Sequence, residues 1–124
     1  MSNSNLDDID PKKINNVIKI LEEFRKHHAD MQVQTMLSFL YVAYFEATKT
    51  DPEDNTNVKD LCDVMGFPTA TASRNVSLLA GGSAKYRGLK LLSTREDPMF
   101  RTRKIVNLTP QGKMVLKSLV ENVK

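Results

Sequence analysis

The side chains able to do chemistry in this 124-residue sequence are mainly hydroxyls and cations, and they cluster. Thr69, Thr71, Ser73, Arg74 and Ser77 fall close together, and Arg74 carries the only charge in that stretch. A second cluster follows, in which Lys85, Arg87, Lys90, Arg95, Arg101, Arg103 and Lys104 face only Glu96 and Asp97. Hydroxyls and cations in this pattern suit hydrogen bonding to a polyanion. Phosphate contacts fix a protein on a duplex, and groups that reach base edges read its sequence. Arg74 is the best candidate for a guanine edge, with a phosphate contact or a salt bridge to Asp60 or Asp63 as its alternatives. Catalysis has no comparable support. Ser73 lacks a partner His at a suggestive spacing, and no phosphate loop, apolar carboxylate pair or nucleotide fingerprint is present. No enzyme activity and no cofactor are therefore expected. His27 and His28 are adjacent and point in different directions on a helix, so no metal site is expected. Cys62 reads as a small buried hydrophobe rather than a redox sensor, and the methionines as core filler.

The charge is unevenly spread. Residues 1–65 hold 7 Lys/Arg against 12 Asp/Glu, whereas residues 66–124 hold 11 against 3, for a net charge of +3. A basic half joined to an acidic half points to a polyanionic partner for the basic half. At 40% hydrophobic and 27% charged, the composition is that of an ordinary soluble globular chain. The length fits one domain, and one cysteine excludes an internal disulfide. The apolar runs are too short to span a membrane, and the acidic start does not read as a secretory signal. A cytoplasmic protein is expected.

The elements that must position the two clusters follow from periodicity and caps. Residues 1–10 read as a flexible acidic tail. Asp10 caps a helix over 11–28 with Pro11 in its first turn. Ile14, Val17, Ile18, Leu21 and Phe24 form one apolar stripe on it. A second helix, from about Gln32 to Ala47, has a broad apolar face that includes Val33, Met36, Leu37, Leu40, Tyr41, Tyr44 and Phe45. Thr48 to Thr56 is a polar loop. Asn57 and Asp60 then form a capping box for a helix that stops at Gly66. Another helix starts at Thr69 and ends at Gly81-Gly82, with Val76, Leu79 and Leu78 turned inward. Two short helices with a glycine between them make a helix-turn-helix over 57–81. Two strands around a turn at Asp97-Pro98 form a wing over 89–108, in which Arg101 and Arg103 point to one face. A wing Arg suits a narrow minor groove. Thr109 caps a last helix over 110–122, carrying Leu116, Leu119, Val120 and Val123. The expected fold is mainly α (α+β), a winged helix in the order α-α-α-α-β-β-α within one domain over 11–124.

Both motifs resemble a known family. The stretch VKDLCDVMGFPTATASRNVSLL is similar to the helix-turn-helix of MarR-type transcription regulators. The recognition-helix pattern T-x-S-R-x-V-x-x-L is met by Thr71, Ser73, Arg74, Val76 and Leu79. The wing pattern is matched at Asp97-Pro98 and Arg101, then at Leu108-Thr109 and Gly112. Three features depart from the family pattern: Phe100 and Thr102 replace a wing Asp and Arg, the loop GGSAKYRG is long, and the C-terminal helix is short. The resemblance implies sequence-specific binding of double-stranded DNA, with the recognition helix in the major groove and the wing at the minor groove. It implies a homodimer, for which Ile14, Val17, Ile18, Leu21, Phe24, Leu116, Leu119, Val120 and Val123 are the candidate residues. It also implies a small-molecule effector, since family members often bind aromatic compounds between the dimer helices and the DNA-binding lobe. A winged helix that contacts other proteins of the transcription machinery is the rival reading.

Overall fold

The computed structural model describes residues 7–51, 55–100 and 103–123. Residues 1–6 of the expected tail and Arg101 of the expected wing lie outside the described residues. The chain begins with helix α1 (Pro11–His27), where Asp10 Oδ1 accepts from the Lys12 N–H at 2.9 Å and Pro11 occupies the first turn. Helix α2 (Val33–Thr48) runs through the middle and buries Phe39, Val42 and Ala43. Phe24 of α1 meets Phe39 edge-on, with ring centroids 5.9 Å apart. This contact turns Phe24 into the core of the protomer, so it is not part of an exposed stripe as expected.

Helix α3 (Val58–Met65) opens on the anticipated capping box: the Asp60 N–H donates to Asn57 Oδ1 and the Asn57 N–H to Asp60 Oδ2. It closes at Gly66, whose φ of 70° lies in the left-handed region that glycine enters without a Cβ clash. Helix α4 (Thr69–Leu79) follows and buries Ala72, Asn75, Val76 and Leu79. Its spacing of apolar residues puts one side of the helix against α2 and α3 and leaves the other free.

The join after α4 is where the structure departs from the sequence reading. Residues expected to form a plain loop make a small antiparallel hairpin of strands β1 (Gly82–Ser83) and β2 (Tyr86–Arg87). The hairpin is closed at its base by backbone bonds from Leu89, Lys90 and Leu91 to the carbonyls of Leu78, Ala80 and Leu79. The wing proper pairs strands β3 (Leu92–Glu96) and β4 (Lys104–Leu108), with Leu92 opposite Leu108 and Glu96 opposite Lys104. Arg95 and Glu96 complete β3 up to the turn at Asp97-Pro98. Asn57 bridges to Ile105, and the Val106 N–H donates to the Thr56 carbonyl at 2.8 Å, so the start of α3 edges the wing sheet.

Helix α5 (Pro110–Val120) starts at Thr109, whose Oγ1 accepts from the Gly112 N–H. A Cβ on Gly112 would lie 2.0 Å from the Leu91 carbonyl oxygen, and this close approach seats α5 against the strand entrance. The helix stops two residues before the expected end. It packs on α1, and Leu119 is buried there. Like Phe24, Leu119 belongs to the core and is not available at the surface. The element order is the expected winged helix with one hairpin added between α4 and the wing.

Candidate nucleic-acid interface

Three elements meet on one side of the molecule: α4, the β1–β2 hairpin and the β3–β4 wing. The free side of α4 presents Thr69, Ala70, Ser73 and Arg74 to solvent, with Thr71 half-buried. Small and hydroxylic residues keep this ridge low, which suits entry into a groove about 12 Å wide. Ala72 and Ala80 are buried in the core and take no part in this surface.

Arg74 makes no ion pair among the described residues, so the alternative pairing with Asp60 or Asp63 is not formed. Asp63 pairs with Lys59 at 3.1 Å, and Asp60 sits 3.8 Å from Lys49 while completing the capping box. An exposed guanidinium without a carboxylate keeps its five donors available.

The two flanks of α4 differ. Ser73 lies on the wing flank, in a notch of about 200 Å³ shared with Thr94 and Lys104. Arg74 and Thr71 lie on the other flank. There a cleft of about 530 Å³ separates α4 from the α1–α2 turn, and Tyr86 of the small hairpin also lines it. Ser77 is used within the protein: its hydroxyl donates to the Gly82 carbonyl at 2.9 Å and holds the hairpin base to α4.

Lys85, Arg87, Arg95 and Lys104 are exposed. Lys85 and Arg87 ride on the small hairpin beside α4, and Arg95 and Lys104 on the wing. At the wing turn, Asp97 Oδ1 accepts from the Met99 N–H at 2.8 Å, the local bond expected of an Asp-Pro turn. Arg103 stands just outside β4, with its guanidinium 4.5 Å from the centre of the Phe100 ring. That cation–π contact holds the Arg103 side chain over the wing turn rather than along the strand. Phe100 and Met99 are exposed beside it.

Two residues at this surface escape simple sequence reading. Tyr86 is brought to the cleft only because residues 82–87 fold back as a hairpin. Asn75 is 6% exposed, and its Oδ1 accepts from the Thr35 hydroxyl at 2.8 Å. Its position three residues after Ala72 and four before Leu79 was the available signal. Cys62 is half-buried, with Sγ 3.9 Å from Thr69 Oγ1 at the start of α4, so the expected full burial is only partly met. The methionines divide: Met31 is buried, whereas Met99 and Met114 are exposed.

No protein-family model matches the sequence, and no curated protein matches it either. Solved structures do match the fold. RV1404 from Mycobacterium tuberculosis superposes with a TM-score of 0.64 at 15% identity, over 98% of this chain and 74% of that one. MarR superposes with a TM-score of 0.55 at 16% identity, over 92% of this chain and 75% of its own. BpsR from Bordetella bronchiseptica, whose DNA binding is regulated by 6-hydroxynicotinic acid, gives 0.53 at 15% identity over 94% and 74%. The superpositions extend over the helix-turn-helix, the wing and the flanking helices of this chain. The chain therefore has the winged-helix fold of MarR-type regulators.

Proposed function

We propose that this protein is a sequence-specific regulator of transcription that binds double-stranded DNA as a homodimer in the cytoplasm. The observation that carries the reading is the free side of α4, where Arg74 stands unpaired among exposed hydroxyls next to a cationic wing. In this reading α4 enters the major groove. Thr69, Thr71, Ser73 and Arg74 face the bases and adjoining phosphates. Lys85, Arg87, Arg95 and Lys104 hold phosphates on either side, and Arg101 and Arg103 serve the minor-groove end of the wing.

The dimer reading rests on exposed apolar side chains. Ile14, Val17, Ile18 and Leu21 on α1, Val120 at the end of α5 and Val123 just after it are each about half exposed or more, and α1 packs beside α5. Such a surface favours burial against a second copy. By analogy with BpsR, DNA binding is further proposed to respond to a small-molecule effector.

The test is a mobility shift with random duplex DNA at low salt, followed by selection of bound sequences from a random library. A shift with an enriched, two-fold-related motif is expected. Absence of any shift would favour the second reading, a winged helix that docks on another protein. Met99 and Phe100, 82% and 52% exposed at the wing turn, are the observation on its side.

A further inference from the structure

The wing ends in an apolar point. Pro98, Met99 and Phe100 are consecutive exposed residues at its turn. Met99, at 82%, is the most exposed large apolar side chain among the described residues. The turn is braced by its own hydrogen bonds. The Met99 N–H donates to Asp97 Oδ1 at 2.8 Å, the Asp97 N–H to the Arg103 carbonyl at 3.0 Å, and the Arg103 N–H to the Phe100 carbonyl at 2.9 Å. A braced point meets a partner with little ordering left to do. Phe100 has one ring face covered by the Arg103 guanidinium, so it cannot lie between two flat groups. Met99 is unbranched, and its side chain stands clear of the turn. Cations back the point, with Arg103 over the ring and Arg95 and Lys104 on the strands behind it. Of the two carboxylates nearby, Asp97 is engaged by the Met99 N–H, and Glu96 stands opposite Lys104 in the ladder. Thr94 and Lys104 share a notch with Ser73 of α4, and the three residues from Thr94 to Asp97 carry β3 about 10 Å toward the turn.

We propose that Met99 is a minor-groove wedge, which enters between two base pairs, unstacks them and kinks the duplex, and so favours sites with a flexible pyrimidine–purine step at that place. This rests on the DNA reading above. With α4 seated in a major groove, whose half-width is about 6 Å, a wing of this reach brings its point past the groove wall to the neighbouring minor groove. Apolar side chains, Met among them, unstack base steps from that side and bend the duplex toward the major groove. The cost of unstacking depends on the step and is lowest at TA and CA. Selection therefore falls on a step whose base edges no side chain has to read. An arginine that reads groove shape favours a stiff A-tract with a narrow groove. A wedge favours the opposite kind of A·T-rich flank, one interrupted by a TA step. The two devices rank the same base composition in reverse order. A protein partner fits the point less well. A specific protein interface takes about 800 Å² from each side, and a side chain the size of Phe supplies only about 150–250 Å².

The experiment uses the full chain and the duplex it selects from a random library. The flanks of that site are made either a continuous A-tract or the same tract with one TA step, moved through the flank one position at a time. 2-Aminopurine replaces the adenine of the step and brightens when it is unstacked. At one position, binding should raise its fluorescence severalfold, and the TA flank should bind about tenfold tighter than the A-tract. Met99→Ala should remove the rise and bring the two flanks to equal affinity, whereas Met99→Leu should keep both effects. Melting curves of the two variants should match the parent, because the side chain is exposed. Binding with no rise at any position, or with no preference for a TA flank, overturns the wedge and leaves the DNA reading standing. A rise and a preference that persist in Met99→Ala overturn the assignment to Met99. A protein that binds no duplex at low salt overturns the DNA reading and the wedge with it, and the apolar point then passes to protein docking.

Discussion

Thr35 donates from its hydroxyl to Asn75 Oδ1 at 2.8 Å in the interior, joining α2 to α4 across 40 residues of sequence. Both residues are almost completely buried. Thr35→Val leaves the Asn75 amide without a partner for either end. It should lower stability by about 1–3 kcal/mol, the cost of stranding a buried polar group. Thr35→Ser should stay near the parent. Adding Asn75→Leu to Thr35→Val should recover part of the loss, since both polar groups are then gone. Urea denaturation of the four proteins checks all of this.

Gly112 sets the seat of α5. Ala at this position would bring a Cβ to within 2.0 Å of the Leu91 carbonyl oxygen, which is backbone and cannot swing aside. Gly112→Ala is expected to destabilise by at least about 2 kcal/mol and to lower the melting temperature by several degrees. Gly66→Ala has open space around it and only the backbone penalty, about 1 kcal/mol. Reversal of that order in thermal melts would show that α5 can shift to accommodate the methyl group.

On the DNA side, Arg74→Ala should reduce the preference for a selected site over random duplex. Lys104→Ala should weaken both alike and flatten the salt dependence by about one unit of slope. Competition binding at several salt concentrations separates the two effects. Equal losses on both duplexes for Arg74→Ala would make it a phosphate clamp and pass base reading to Thr71 or Ser73. Neither change should alter the melting curve, because both side chains are exposed.

The apolar surface on α1 predicts self-association. Sedimentation at tens of micromolar should give a dimer, and Ile18→Glu should shift it toward monomer while the far-ultraviolet dichroism stays unchanged. Ile18 is 51% exposed in the protomer, so the charge has little effect on the fold itself. A monomeric parent would refute the homodimer.

Three of the helix starts, those of α1, α3 and α5, were legible because their caps are local chemistry. Asp10 before Pro11, Asn57 with Asp60, and Thr109 before Pro110 each satisfy donors within three residues of themselves, so the sequence alone carries the signal. The wing was legible from its turn residues and from the apolar run on either side. The β1–β2 hairpin was not. Its strands are two residues each, and it closes through bonds to the end of α4 that no local pattern announces. The apolar stripe on α1 also misled at its end: periodicity places Phe24 on the same face as Leu21, and only the position of Phe39 turns it inward. Asn75 shows the same limit. A polar residue in an inward register looks like an exception until Thr35 is found across from it.

Glu46 Oε1 accepts from the Asn107 side-chain amide at 3.1 Å and from the Leu108 N–H at 3.2 Å, which ties the wing strand to the far end of the helix whose first turns hold Asn75 through Thr35. One rigid bar thus sets the distance between the two parts that would touch a duplex. A fixed separation would, in the proposed complex, leave the torsional adjustment of an over- or underwound duplex to the DNA. In the proposed complex, base steps lying between the contacts would be selected by how readily they twist. Supercoiling of the template would then change occupancy without any change in the residues that touch it.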